Sequence, residues 1–502
     1  GLDIGTTNCK LVAFSVRGDE IASASAPYDV HRPQAGRAEI EPADIITAVV
    51  ELFRRIAPRL AGYQDLSLAI SSQGEAFTLV DKAGNALIPA PISVDMRGLD
   101  LVAEFATCPE VEAARGVALQ TLNALTSLSK LLWIKRNDSA VLTQAHRFLC
   151  MGDFVQQSLG LSPVMDYSMA ARTGLLDIAT LDWSSDLIRL AESPNALFPP
   201  VAPSGTFIGT LSRDMAKRLG LTATVNIFTG GHDQLCAQLG AGALAPRTAL
   251  YSVGTTECIT LTLNETRPDL IDKNLPAYPH VIPGKFAILI GSQSGGRLLE
   301  WFATLVETGS MADLFDQVDD LPSRALVIPH FAGTGSLSGD ERARGAIAGL
   351  SFGVTKPELA HAFLEGITFE QAMALDEAKR HGIELDRLRM VGGGTQSREW
   401  MQIKADIIGL PLDCVSNPET ACTGAAMLGG FGAGVYPTLQ DAARTFERPC
   451  HTYMPRADHS AIYADRIAMY RELSADLKKH QSRHWALVDR IEALKSDANG
   501  GA

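Results

Sequence analysis

The feature that most limits what this chain can fold into is the recurrence of one short pattern. Residues 2–15 read "LDIGTTNCKLVAFS" and residues 249–263 read "ALYSVGTTECITLTL". Each is an apolar run, a Gly-Thr turn and a returning apolar run, the pattern of a strand, a tight loop and a second strand. Two such units, each opening one half of the chain, point to a duplicated fold with a junction near "GAGALAPRTAL" (240–250). Length agrees, because 502 residues exceed the ~250–300 at which one hydrophobic core stops growing.

Between these landmarks, short apolar runs alternate with amphipathic stretches, so the class is α/β. "EPADIITAVVELFRRIAPRL" (41–60) has Pro42 where a first helical turn tolerates it, apolar residues at helical spacing and basic residues late, which predicts a helix. "LSLAISSQG" (66–74) reads as a buried strand ending in a polar loop. "LRMVGGGTQSREWMQIKADIIG" (388–409) reads as strand, glycine loop and helix. Residues 460 to about 495 are expected to form long amphipathic helices that pack or make oligomer contacts, which leaves a homodimer open; "SDANGGA" is expected to fray. The expected domains are 1–245, 246–440 and a helical extension, 441–502.

Charge and cysteine usage exclude several function classes. The formal net charge is -13, with 44 Lys+Arg against 57 Asp+Glu, which repels nucleic acid and anionic lipid alike. Eight cysteines occur without a C-x-x-C pair, so neither a zinc site nor a disulfide framework is expected, and reduced thiols suit a cytoplasmic protein. No run of ~18 uncharged apolar residues predicts a membrane span. The chain opens on "GLDIGTTNCK" without a signal-peptide layout or an initiator Met, so a few residues are expected to precede it.

Three loops carry the chemistry. In "LDIGTTNCK", Asp3 is expected to end a strand, and Gly5, Thr6, Thr7 and Asn8 follow. Their backbone N–H groups and hydroxyls can wrap an anion beside a carboxylate able to hold Mg²⁺, and Lys10 can add a positive charge. A plain hairpin turn is the competing reading. A Walker A loop is excluded, since G-x-x-x-x-G-K-[ST] is missing and a strand follows. Gly254, Thr255 and Thr256 offer the same phosphate chemistry in the second half. In "VGGGTQS" (391–397), Gly393, Gly394 and Ser397 belong to a loop that lets backbone approach a flat base or ribose. A dinucleotide-binding fingerprint fails there, because Ser397 stands where its last glycine belongs.

"TGGHDQLC" (229–236) adds a carboxylate, Asp233, to the end of an apolar run, where burial costs free energy unless the group is paired. It can cap the helix through "QLCAQLG", ligate a metal or take a proton.

Taken in order, these motifs resemble the FGGY carbohydrate kinases, members of the sugar kinase, actin and Hsp70 superfamily. The resemblance spans about residues 1 to 440. "LDIGTTNCK" is similar to the first phosphate loop, "SLSKLLWIKRN" (127–137) to a family signature, "GGHDQ" to the catalytic segment and "SVGTTE" (252–257) to the second phosphate loop. "GAIAGLSFGVTKPELAHAFLEG" (345–366) is similar to a second signature, and "VGGGTQSREWMQIKADIIGLPL" to the adenosine site. The implied fold is two duplicated RNase H-like (actin-like ATPase) domains flanking a nucleotide and sugar cleft. The implied reaction is ATP- and Mg²⁺-dependent phosphorylation of a sugar hydroxyl, with Asp233 as general base and Asp3 helping to hold Mg²⁺, Asp233 sharing that role through water. Gly230 and Gly231 are expected to leave room beside the base.

"SSQGEAF" (71–77) and "SVDMRG" (93–98) fall where the family places substrate loops. Gln73, Glu75, Asp95, Arg97 and His232 are therefore candidate sugar contacts, although Asp95 and Arg97 can equally form a salt bridge that locks their loop. Glycerol-kinase-like members carry Arg, Trp and Tyr where this chain has Gly74, Ser93 and Leu125. Their loss makes glycerol a poor fit and favours a longer substrate. The resemblance implies a ketopentose such as xylulose first, then a sugar acid such as gluconate or a larger polyol. Ser93 also departs from the Trp usual in xylulokinases. A non-catalytic sugar-binding regulator on the same fold is the rival from another class; it predicts missing loop or base residues, and Asp3, Thr6 and Asp233 are all present.

Overall fold

The computed structural model describes residues 1–105, 108–191, 195–308, 317, 320–340 and 342–499. They form two compact units. The first contains residues 1–250, 260–289 and 417–449; the second contains 251–259, 290–416 and 450–502.

The first unit is built on β1 (Leu2–Ile4), β2 (Asn8–Phe14), β3 (Glu20–Pro27), α1 (Pro42–Leu60), β4 (Asp65–Ser72), α2 (Ser127–Asn137), α3 (Tyr167–Arg172), β5 (Phe207–Thr210), β6 (Thr224–His232) and α4 (Asp233–Gly240). Its six-stranded sheet has the order β5-β6-β4-β1-β2-β3. β1 pairs antiparallel with β2 and parallel with β4, so Asp3 stands opposite Lys10 on one side and Ser71 on the other. Pro42 occupies the start of α1 as its sequence predicts, and Ile45, Val49, Leu52, Phe53 and Ile56 line the buried face of that helix. This spacing of three and four residues gives one apolar stripe, which packs into a core shared with Leu2, Ile4, Leu11 and Ile70 of the sheet.

The second half contributes β7 (Thr248–Val253), β8 (Glu257–Leu263), α5 (Gly296–Leu305), α6 (Lys356–Arg380), β9 (Arg387–Val391), α7 (Arg398–Ile408) and β10 (Leu412–Val415). α8 (Thr420–Gly432), β11 (Cys450–Tyr453) and α9 (Ala457–Asn499) complete it. Within a seven-stranded sheet the order β8-β7-β9-β10-β11 repeats β2-β1-β4-β6-β5. β9 and β10 are parallel and β10 and β11 antiparallel, as are their counterparts. The duplication inferred from the two Gly-Thr hairpins is thus carried by strand order.

α8 lies in sequence between β10 and β11, two strands of the second sheet, yet belongs to the first unit. A Cβ on Gly240 of α4 would lie 1.9 Å from the Thr420 carbonyl, and one on Gly424 of α8 the same distance from the Cys236 carbonyl. The two helices therefore meet backbone to backbone, which only glycine at both crossings permits.

The C-terminal segment is one helix, α9, and not several. No glycine or proline interrupts residues 457–499, so nothing in the chain ends the helix earlier. The expected frayed end overlaps its last turn at 496–499, and residues 500–502 lie outside the described residues. Among the described residues no helix is long and apolar enough to cross a membrane.

Candidate active site

The first loop is a closed turn from Gly5 to Asn8, with the Gly5 N–H donating to the Asn8 carbonyl at 3.0 Å. Asp3 sits in the middle of β1, one residue earlier than the strand end expected of it, because Ile4 still pairs with Cys9. Thr6 is half-buried and Thr7 exposed. The Gly5 carbonyl accepts from Gln73 Nε2 at 3.0 Å and from the Tyr28 hydroxyl. Gln73, expected to face a sugar, thus also braces the phosphate loop, while its Oε1 is buried without a hydrogen-bond partner. Lys10 is paired with Glu419 at 2.9 Å, so its charge is already shared.

The base candidate stands where β6 becomes α4. A bulge between Phe228 and Gly231 interrupts the pairing of β6 with β4. The two glycines do not open space beside Asp233, as their sequence suggested. A Cβ on Gly230 would lie 1.9 Å from the Ile70 carbonyl and one on Gly231 2.2 Å from Val281 Cγ1, so the protein itself fills that space. Their role is to let the strand pass close to its neighbours. His232 is the N-cap residue and Asp233 the first residue of α4. Asp233 therefore does not cap the helix from outside; its Oδ1 accepts from the Gln234 N–H at 2.6 Å.

Burial pushes the Asp233 carboxyl up to about 7, the nearby Asp3 charge adds to this, and the Gln234 N–H and Arg172 oppose it. Burial likewise pushes Asp3 up to about 6, against the hydrogen bond from Ser71 Oγ at 2.7 Å and the charge of Lys10. His232 is held neutral: burial, then the charge of Arg172, places its imidazole well below the ordinary range. Its Nε2 lies 3.2 Å from Asp233 Oδ1, its backbone N–H donates to Ser168 Oγ at 2.9 Å, and its Nδ1 is buried without a partner.

Arg172, at the end of α3, was not singled out by its sequence. Its guanidinium pairs with Glu75 and lies 4.9 Å from the Tyr278 ring centroid. Glu75 is buried with φ at 63°, a left-handed backbone region that costs a non-glycine residue about 1 kcal/mol or more. The segment "SQGEA" holds that strain while aiming a carboxylate at Arg172. Gly74 has no room for the arginine of glycerol-kinase-like chains, because a Cβ there would sit 2.8 Å from His232 Nε2. Ser93 and Leu125 are both half-buried.

Asp95 and Arg97 form a clamp. Arg97 Nε donates to Asp95 Oδ1 at 2.7 Å, its Nη2 also reaches Glu39, and Asp95 Oδ2 accepts from the Ala38 N–H at 2.8 Å. Both side chains are at most 5% exposed, so this geometry carries the loop-locking reading. The signature helix α2 adds a second brace. Lys130 Nζ, fully buried, donates to the Ile92 carbonyl at 2.7 Å and the Leu125 carbonyl at 3.0 Å, holding both loop segments from beneath.

In the second unit, Gly254, Thr255 and Thr256 are exposed between β7 and β8. The backbone N–H groups of Gly296 and Arg297, at the start of α5, hold the Gly254 and Thr255 carbonyls at 2.9 and 3.2 Å. The glycine loop between β9 and α7 packs on the same hairpin. Gly392 has φ 97°, and a Cβ there would be 2.5 Å from the Val253 carbonyl. One on Gly394 would be 2.3 Å from Val253 Cγ1, whereas one on Gly393 would meet nothing within 4 Å. Ser397 caps α7, its Oγ accepting from the Trp400 N–H at 3.1 Å.

These residues fit a hard divalent cation bound together with phosphates. Two carboxylates, both pushed up by burial, gain from a cation beside them. Among the described residues no cluster of three or more His, Cys, Asp or Glu could hold a metal alone.

Residues 1–240 match the FGGY family of carbohydrate kinases, N-terminal domain, and residues 249–433 its C-terminal domain. The chain is 26% identical over 497 residues to a xylulose kinase of Staphylococcus epidermidis, covering 95% of this chain and 98% of that protein. It is 29% identical over 461 residues to a glycerol kinase of Citrifermentans bemidjiense, covering 88% and 92%. A crystal structure of gluconate kinase from Lactobacillus acidophilus shares the fold with TM-score 0.89 at 22% identity, covering 96% and 99%. With both family domains present in order on a two-domain α/β fold of the actin-like ATPase type, the chain belongs to the FGGY family of carbohydrate kinases and is a sugar kinase.

Proposed function

We propose that this kinase transfers the γ-phosphoryl group of ATP to a hydroxyl of a ketopentose such as xylulose. The observation that carries the reading is Asp233, beside Asp3 and raised to about 7, which gives a carboxylate matched to taking a proton near neutral pH. Asp233 removes the proton of the attacking hydroxyl, and His232 Nε2, 3.2 Å away, orients the carboxylate. Gln73, Glu75 and Arg172 supply hydrogen bonds for the remaining hydroxyls. Asp95 and Arg97 act by fixing their loop. Asp3, with Asp233 through water, would hold Mg²⁺, which supplies charge neutralisation for the phosphates. The loops 5–8, 254–256 and 392–397 are assigned to ATP, with Lys10 tuning the first through Glu419. The eight cysteines, which include no C-x-x-C pair, suit a reducing cytoplasm.

Arg172 favours a second substrate reading, a sugar acid such as gluconate, whose carboxylate a guanidinium beside the site could pair with. A coupled ADP-release assay over D-xylulose, gluconate, fuculose, xylitol and erythritol tests the choice. D-xylulose is expected to give the highest kcat/KM; highest turnover on gluconate would replace it, and equal rates with and without every sugar would sink the reading.

A further inference from the structure

Beneath the two loops assigned to the nucleotide lies a buried charged network that the reaction itself does not use. Lys404 of α7 and Glu257 at the start of β8 have fully buried side chains. Lys404 Nζ lies 2.8 Å from Glu257 Oε1 and donates to Glu257 Oε2 at 3.0 Å, to the Tyr251 hydroxyl at 2.8 Å and to Thr368 Oγ1 at 3.5 Å. The Tyr251 hydroxyl donates in turn to Glu257. The ammonium also lies 4.6 Å from the Tyr251 ring centroid and 4.9 Å from that of Trp400.

The placement of these residues gives the network its meaning. Tyr251 stands on β7 and Glu257 on β8, the two stems of the 254–256 turn. Lys404 and Trp400 stand on α7, the helix that the 392–397 loop opens. One ammonium therefore ties both stems of the phosphate turn to the helix behind the adenosine loop. Above it, Gly392 and Gly394 press that loop onto Val253 at distances only glycine allows. Stability does not explain why charges are kept here, because a buried ion pair is commonly no better than apolar residues of the same volume. What a directional pair supplies is a fixed relation between the elements it joins.

We propose that Lys404, with Glu257 and Tyr251, is a positioning device that locks the 254–256 and 392–397 loops into one preorganised nucleotide cradle. The inference rests on the assignment of these loops to ATP. Without the lock, each loop must be ordered by the nucleotide itself, and that ordering is subtracted from affinity.

The test is titration of the full chain with MgADP, followed by calorimetry. Lys404→Met alone strands the Glu257 carboxylate and can unfold the second unit. The triple change Tyr251→Phe, Glu257→Leu, Lys404→Met replaces the three groups that join the elements with apolar ones of similar size and leaves the Thr368 hydroxyl on the Leu364 carbonyl. The triple variant is expected to melt at or above the wild-type temperature yet to bind MgADP at least tenfold more weakly. Wild-type MgADP affinity in the triple variant would overturn the proposal. Gly393→Trp, built into open space above the loop and away from the network, checks the underlying assignment. It is expected to block MgADP; if it binds as wild type does, the nucleotide reading of this loop falls, independently of whether the network positions it.

Discussion

Replacing Asp233 by Asn should separate activity from stability in opposite directions. The change keeps shape and removes a charge that the site holds at a cost. As general base the carboxylate contributes about 10²–10⁴ in rate, so kcat on the preferred sugar should fall by that factor while the KM for ATP changes little. For stability the sign runs the other way. The folded carboxyl is raised to about 7 from an ordinary aspartate value, so folding is penalised increasingly as pH rises from about 4 to about 7, the penalty is complete above that, and it is gone only once pH has fallen back to the ordinary aspartate value. The full difference corresponds to roughly 4 kcal/mol. With 27% of the side chain still exposed, solvent screening reduces this to about 2 kcal/mol. Asp233→Asn should therefore melt higher than wild type at about pH 8, by a margin that shrinks as pH falls below about 7 and closes near about pH 4. The wild-type kcat/KM for the sugar should rise with pH through about 7, since only the ionised form takes a proton. Steady-state kinetics of ADP release and thermal melts at the two pH values measure all of this. Undiminished turnover, or a melting temperature that drops at the higher pH, would refute the assignment.

Other perturbations read neighbouring parts of the site. Gly74→Ala places a methyl group 2.8 Å from His232 Nε2, and the displaced ring should lower sugar kcat/KM about 10–100-fold with the KM for ATP unchanged; kinetics on both substrates check the split. Asp95→Ala leaves Arg97 buried beside Glu39 alone, and a loss of about 3 kcal/mol is expected from denaturant melts, larger than the effect on kcat. Removing divalent metal with EDTA should abolish turnover and leave the melt of the nucleotide-free protein unchanged, because no protein cluster among the described residues holds a metal alone; a large drop in melting temperature would point to a resident structural ion.

The loops were legible in the sequence because each is a local pattern. Gly-Thr turns between apolar runs and a triple glycine before an amphipathic helix need no distant partner to be recognised. What escaped was set by contacts far apart in the chain. Arg172 gains its place only when α3 brings it to Glu75, and Lys404 only when α7 lies against the stems of the phosphate hairpin. The return of α8 to the first unit depends on Gly240 and Gly424 meeting at a helix crossing, and in sequence each reads as one small residue among many. Gly230 and Gly231 misled for a related reason: a glycine next to a catalytic carboxylate suggests space, whereas the sheet uses their missing side chains for close packing. The continuous α9 follows from 43 residues without a breaker, a signal that the sequence itself carries.

Transfer of phosphate from ATP to a sugar hydroxyl leaves a direct spectroscopic record. ³¹P NMR of the protein incubated with MgATP and D-xylulose tests it most directly. ADP and a sugar phosphate monoester are expected to appear in equal amounts, with no comparable turnover when the sugar is left out. Appearance of ADP with inorganic phosphate in place of the ester would contradict it.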